Sequence, residues 1–469
     1  MTPAPLRLRV RPVCGIFLAC AAWACGGDGT GARDPGFRTA QPALAVGLGG
    51  AEVQPILSVG DTLPNGFVWA PVPDGLGGFM EGGELVLFAN HELGSGGAPG
   101  TDGTARFAFA RVSRLVLDPA RATVLRGSYV VNGDEGYRSL CSATFAGAGE
   151  GLPSGWFLTG EEATGGVKDG MQLAVSRTGQ VVEMPWIGRF AHENLVAIPG
   201  FPGRVVLAGL DDSRGRSELY LYVAANEGDV LAGRGKLYVF TSADAIHVGE
   251  LQVIQGIDGR FVEIPGAASL SSAQLQAAAD ALGAFRFARI EDGDYDRGTA
   301  AGEQPALYFV DTGAADVPGV GPPWDPYGSI YRMQFTAADP TRARLTLMAR
   351  SAGPASGWAS PDNVASSARS LMVQEDPAHP AWARAPRIWR FTRAADARLV
   401  DPRAVAELLN PDCVLGASTC WESSGIVDAS AWMGEGTWLF DVQAHARPEP
   451  RLGIAREAGQ LLRLRVPGS

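Results

Sequence analysis

Acids and one thiol recur at the starts of short apolar strands, and they are the residue types that bind metal ions. Cys141 stands before Ser142-Ala143-Thr144-Phe145, and Glu193 closes Arg189-Phe190-Ala191-His192-Glu193. Glu291 lies in Arg289-Ile290-Glu291-Asp292, Asp362 precedes Asn363, and Glu422 follows Trp421. Each of these alone reads as a solvated strand end; their repetition is what gives them weight. Brought to one end of a shared channel, four carboxylates and a thiolate could not all stay charged without cations. Hard oxygen ligands suit Ca²⁺, and a carboxylate site with one thiolate also suits iron. His91 and His192 adjoin Glu92 and Glu193 and could orient them, with His91, Glu92 and His192 standing behind the ligands, whereas His247 and His379 read as structural histidines. The run Glu291-Asp292-Gly293-Asp294-Tyr295-Asp296 resembles part of a calcium loop without the full EF-hand spacing. No nucleophile elbow, Ser-His-Asp ordering or histidine-rich zinc signature is present.

The elements that must position these groups are strands. An apolar run ending in polar or acidic residues recurs six times, with its ends at Glu92, Glu162, Asp212, Asp311, Asp376 and Asp441. The spacing averages roughly 70 residues, a repeat length too short for a unit to bury both faces alone. An alternating strand follows each run, as half-buried strands require. The pattern predicts an all-β fold, a six-bladed β-propeller over residues 46–466, with an array of β-sandwiches as the alternative. The longest interval holds one helical stretch, Ala273 to Leu282, capped by Ser271 or Ser272 and stopped by Gly283, which reads as a small helical insertion. Gly and Pro together supply 94 of 469 residues, in keeping with many tight turns.

Arg7, Arg9 and Arg11 precede an apolar stretch too short to span a bilayer, which ends at Ala22-Trp23-Ala24-Cys25. Residues 1–24 are therefore expected to be a lipoprotein signal peptide, with Cys25 lipidated and residues 25–45 a Gly-rich tether; ordinary signal-peptidase cleavage is the alternative. Such a protein would sit in the bacterial periplasm or at the cell surface, as an outer-membrane lipoprotein touching the membrane only through its N-terminal anchor. The whole chain carries a net charge of −11, which argues against nucleic acid as a partner. In an oxidising compartment Cys413 and Cys420 are expected to close a local disulfide. Cys141 is then left over, either buried and inert or a ligand.

These segments together resemble the PhoX alkaline phosphatases over roughly residues 50–466. The resemblance rests on Asn90-His91-Glu92, Gly188-Arg189-Phe190-Ala191-His192-Glu193, Gly235-Lys236-Leu237-Tyr238-Val239, Arg289-Ile290-Glu291-Asp292, Ser360-Pro361-Asp362-Asn363 and Gly459-Gln460-Leu461-Leu462. Glu422-Ser423-Ser424-Gly425 and Asp441-Val442-Gln443-Ala444-His445 look like a divergent branch. The resemblance implies a monomeric phosphoester hydrolase with an iron and calcium cluster in the channel. Cys141, Glu162, Glu193 and Glu291 would then be metal ligands, joined on the strand pattern by Asp362 and Glu422. Arg289 would hold phosphate, its guanidinium forking onto two oxygens, and with Glu291 form the catalytic pair; Lys168 is a second candidate for phosphate. After Cys141 the chain departs from the family's Gly-Gly and Thr-Pro-Trp. Two other functions share the fold: a calcium-stabilised surface propeller that binds a ligand without turnover, and another propeller metal hydrolase such as a lactonase. Cys25→Ala is expected to release the protein from the membrane fraction, as checked by fractionation and mass spectrometry of the N-terminus.

Overall fold

The computed structural model describes residues 35–468, apart from 300–301, 315–324, 356, 378–381, 383, 411–412 and 414–419. The expected signal peptide and Cys25 lie outside the described residues, as does His379. Among the described residues the fold is all-β, a propeller-like arrangement of antiparallel sheets. Two four-stranded sheets run in chain order, one from Pro73–Glu81 to Thr123–Val131 and the next from Leu140–Ala146 to Val181–Glu183. A five-stranded sheet begins at Pro361–Ser366 and takes its edge from Ala45–Gly47, while a four-stranded one begins at Glu422–Asp428 and takes its edge from Glu52–Ser58. The two ends of the described chain are thereby stitched into sheets formed by its other end, so ring closure is by hydrogen bonds rather than by a linker.

Instead of two further separate sheets there is one of nine strands. Two meanders, starting at His192–Ile198 and Ile290–Tyr295, are joined edge to edge where Gly256–Glu263 pairs with Asp339–Arg350. The expectation of six separate blades is corrected: among the described residues there are five sheets of four or more strands and one two-stranded ribbon, because the long strand Asp339–Arg350 offers an edge that the insertion's strand covers. The helix forms as read: Ser272–Ala281, with Ser271 as N-cap in a capping box with Gln274, and Gly283 at φ 73° just past its end. The predicted tether over 25–45 is packed from Pro35 onward. Phe37 bridges to Val124, and Leu44 and Ala45 are buried.

What positions the site is a feature of the innermost strands. Pro73–Glu81, Leu140–Ala146, His192–Ile198, Ile290–Tyr295, Pro361–Ser366 and Glu422–Asp428 each touch the next, and the last touches the first. Every one of them has a register shift against its partner strand, near the same end. A regular strand alternates its side chains between two faces, but a bulge inserts an extra residue and re-aims it. The inserted positions are Asp74-Gly75, Cys141-Ser142, Glu193, Glu291-Asp292 and Asp362-Asn363. At the sixth the residue is Gly425, with φ 46°, where a Cβ would lie 2.6 Å from the Asp74 carbonyl oxygen. Gly75 makes the neighbouring contact, a Cβ there falling 2.4 Å from the Cys141 carbonyl oxygen and 2.5 Å from the Ala143 nitrogen. Gly75→Ala is therefore expected to cost about 1–3 kcal/mol in urea unfolding of the metal-free protein, the usual price of overpacking.

Candidate metal centre and active site

The bulged residues converge. Asp74, Cys141, Glu193, Glu291 and Asp362 line one cavity of about 100 Å³ together with Glu92, Glu162, Asp212, Asp376, Glu422 and Arg289. Nine carboxylates, one thiol and one guanidinium thus share it. Three triads bring one ligand atom per residue within 4.8 Å of one another: Asp74/Glu92/Cys141, Cys141/Glu162/Glu193 and Glu193/Glu291/Asp362. The triads form a chain in which Cys141 and Glu193 are each used twice.

A second tier comes from the partner strands. Glu161, Asp211 and Glu375 end their strands fully buried, and each is followed by a cavity residue: Glu162, Asp212 or Asp376. The first acid of each doublet braces a loop. Glu161 accepts from the Arg138 and Gly170 amides at 3.0 and 3.1 Å, and Glu375 from the Ala359 and Arg387 amides and from Arg384. Asp311 does the same for the Ala288 and Arg289 amides at 2.7 and 2.9 Å, which holds the backbone of the cavity's arginine. Asn90 donates to the Cys141 carbonyl at 2.5 Å and to Thr159 at 2.8 Å, fixing the strand that carries the thiol.

Burial and like charge dominate the electrostatics. Asp74, Glu193, Glu291 and Asp362 are pushed well above the usual carboxylate range, first by desolvation and then by neighbouring charges, chiefly acids. Glu92 is pushed up to about 8 by burial, then by Glu162 and Glu422, and Asp376 to about 7 by burial, then by Glu422. Burial also raises the Cys141 thiol, whose Sγ lies 3.2 Å from Glu162 Oε2. Glu422 is the exception: burial raises it, but His445, at 3.6 Å, holds it below its ordinary value. His445 is itself opposed by burial yet raised by Glu422 and by Glu457, which lies 2.6 Å from Nδ1. So many buried carboxylates demand protons or cations. The donor set of oxygens with one sulfur fits hard cations such as Ca²⁺, with the thiol end also suited to iron.

Several sequence-based expectations change. Lys168 does not line the cavity; its ammonium meets Glu183 at 2.5 Å and lies 4.5 Å from the Tyr137 ring. His91 and His192 do not support their neighbouring acids, because successive residues of a strand face opposite sides. His91 meets the Pro71 carbonyl at 3.1 Å and Ser113 at 2.7 Å, and His192 meets the Gly188 carbonyl at 3.0 Å. Burial lowers both to about 3, so they are neutral. Glu92, expected behind the ligands, is in the cavity wall itself. The phosphate-gripping fork of Arg289 is closed on Asp212, through Nε at 3.0 Å and Nη2 at 2.6 Å, and Nη2 also lies 2.7 Å from Glu291. The run from Glu291 to Asp296 is no calcium loop but the strand Ile290–Tyr295 and the residue after it, and Asp292, Asp294 and Asp296 accept from Asn194, Arg297 and Arg393. Cys413 and Cys420 are joined in a disulfide, and Cys141 is free and buried.

Asp74, Asp212, Asp376 and His445 were missed in the sequence. The doublets Asp211-Asp212 and Glu375-Asp376 carry the same signal as Glu161-Glu162, and Pro73-Asp74 repeats Pro361-Asp362. In the metal-free protein the cavity acids hold more protons folded than unfolded, so their contribution to stability is fully present below about pH 4 and is lost as pH rises through 7 to 8. Thermal unfolding of chelator-treated protein across that range should show this fall, and added Ca²⁺ should reverse it by binding the ionised native state.

Residues 174–394 match the family model described as alkaline phosphatase PhoX. Among solved structures, Pseudomonas fluorescens PhoX in complex with vanadate, a transition state analogue, is 15% identical, covering 92% of this chain and 98% of that one at a TM-score of 0.66. At that identity the likeness is one of fold. Trypanosoma rangeli sialidase is 10% identical, covering 89% of this chain and 59% of its own, at a TM-score of 0.38. A search of curated proteins gives no significant match. The chain thus resembles the alkaline phosphatase PhoX family over residues 174–394, just under half of its length, and shares its fold with a PhoX of known structure.

Proposed function

We propose that this chain is an exported, metal-dependent phosphoester hydrolase whose reaction centre is the acid-lined cavity. The observation that carries this is the meeting of three ligand triads and a buried arginine in one cavity. Glu193, Glu291 and Asp362 form an all-oxygen set suited to calcium, and the two triads containing Cys141 are suited to iron. Clustered cations, when bound, supply Lewis acidity toward the phosphoryl oxygens and an activated oxygen nucleophile.

The chain's own residues do the rest. Arg289 places a permanent positive charge in a cavity otherwise lined by acids, where it stabilises charge on the transferring group's outer oxygens. Asp212 and Glu291 hold the guanidinium by Nε and Nη2, so the Nη1 edge is the one offered to phosphate. Asp311 clamps the same segment from the backbone side. Burial of the ligands keeps competing water from them and strengthens every interaction among them. We read the nine-stranded sheet as two fused blades, which with the other four sheets makes six around the channel, and Cys25 as the point where a lipid ties the enzyme to the cell envelope.

Two variants test this. Cys141→Ser should lose iron by elemental analysis, along with any visible thiolate-to-iron band and nearly all hydrolysis of a phosphomonoester. Arg289→Ala should keep its metal and lose about 3 kcal/mol of transition-state stabilisation, on the order of 10²-fold in kcat. Full turnover by Cys141→Ser with unchanged metal content would reduce the thiol to a packing residue.

A further inference from the structure

Directly beneath the ligands lies a layer of polar side chains that metal binding alone does not explain. It includes the second residues of three bulges, Ser142, Asp292 and Asn363, and Asn194, which follows the bulged Glu193, all buried. Two of these make a chain of hydrogen bonds across three sheets. Ser142 Oγ donates to Glu193 Oε1 at 2.6 Å, and the Ser142 amide reaches the same oxygen at 3.3 Å. Asn363 Nδ2 donates to Ser142 Oγ at 2.6 Å.

The direction of this relay is set by donor counting. A hydroxyl has one proton, and with cations bound the ionised Glu193 carboxylate can only accept, so that proton goes to Glu193. The Ser142 lone pair must then receive a donor, which only the amide end of Asn363 supplies. Asn363 Oδ1 is left buried with no hydrogen-bond partner. Ser142 and Asn363 are 1% and 2% exposed and line neither the acid cavity nor the larger one elsewhere in the channel, so solvent does not compete.

We infer that Ser142 and Asn363 are positioning residues for Glu193, which is shared by the second and third ligand triads. Fixing Oε1 with two donors sets the carboxylate plane for both triads at once. Ser142 sits beside the other shared ligand, Cys141, so one bulge orients both members used twice. This rests on the metal reading above. Partners that orient metal ligands from behind usually contribute roughly 10–100-fold to metal affinity, and that is the effect expected here.

The test is Ca²⁺ affinity by chelator competition on the full mature chain, with iron content by elemental analysis. Ser142→Ala should weaken Ca²⁺ binding by about tenfold or more, and Ser142→Thr, which keeps the hydroxyl, should restore it. Asn363→Ala should weaken binding in the same direction, and the double variant should lose little beyond Ser142→Ala, because the two act through one chain. Folding of each variant is checked by the melting temperature of its metal-free form. If Ser142→Ala binds Ca²⁺ within twofold of wild type, or if the two losses simply add, the relay is overturned and the layer is packing. If wild type itself takes up no cation, the metal reading falls first and the relay with it.

Discussion

Nine carboxylates share a buried cavity of about 100 Å³ with one guanidinium, and their mutual repulsion is the constraint around which the rest of the site is arranged. Left bare, most would hold protons, as their raised titration shows; to be ionised they need cations. Each structural device near the cavity serves to hold like charges together. The bulges push acids inward from separate strands, the strand-end acids brace the loops from behind, and the floor of hydroxyl and amide groups fixes the orientation of the shared ligands. A protein with no cation to bind would gain nothing from such crowding, since every one of these groups is cheaper in water.

The ring of innermost strands converts a local irregularity into a global site. One bulge re-aims one side chain, which is of little consequence on its own. Repeated near the same end of six adjacent strands, the bulge delivers five ligand-bearing residues to one point. The sixth strand shows why the count stops at five. Gly425 packs against the Asp74 backbone so closely that no side chain fits, and Glu422, three residues earlier, reaches the cavity from the strand's start instead. That sheet is also where His445 enters, adding a positive partner for Glu422 as Arg289 is for Asp212 and Glu291.

Arg289 illustrates how a positive charge is kept in such surroundings. Its bonds to Asp212 and Glu291 replace lost water, and its raised titration follows from those acids outweighing burial. The same contacts restrict its geometry. A free guanidinium presents several edges, whereas this one has Nε and Nη2 occupied, so an incoming anion meets a single defined edge.

The amino-acid sequence by itself determined the strand repeat, the helix with its serine cap, the disulfide pair in Cys413 and Cys420, and the strand-start acids that converge. These follow from periodicity, capping and spacing, which are local properties. What only the tertiary structure decided is which neighbour of each acid faces the cavity. Glu161 and Glu162, Asp211 and Asp212, or His91 and Glu92 are equivalent on paper, but adjacent strand residues face opposite sides, and the placing of each bulge chooses between them. Lys168 followed Glu162 closely in sequence and yet turned to Glu183, because distance along the chain says nothing about direction once a strand has ended. The fusion of two sheets into one, and the packing of residues 35–45 onto the domain, were likewise decided by edges that only a closed ring of strands brings together.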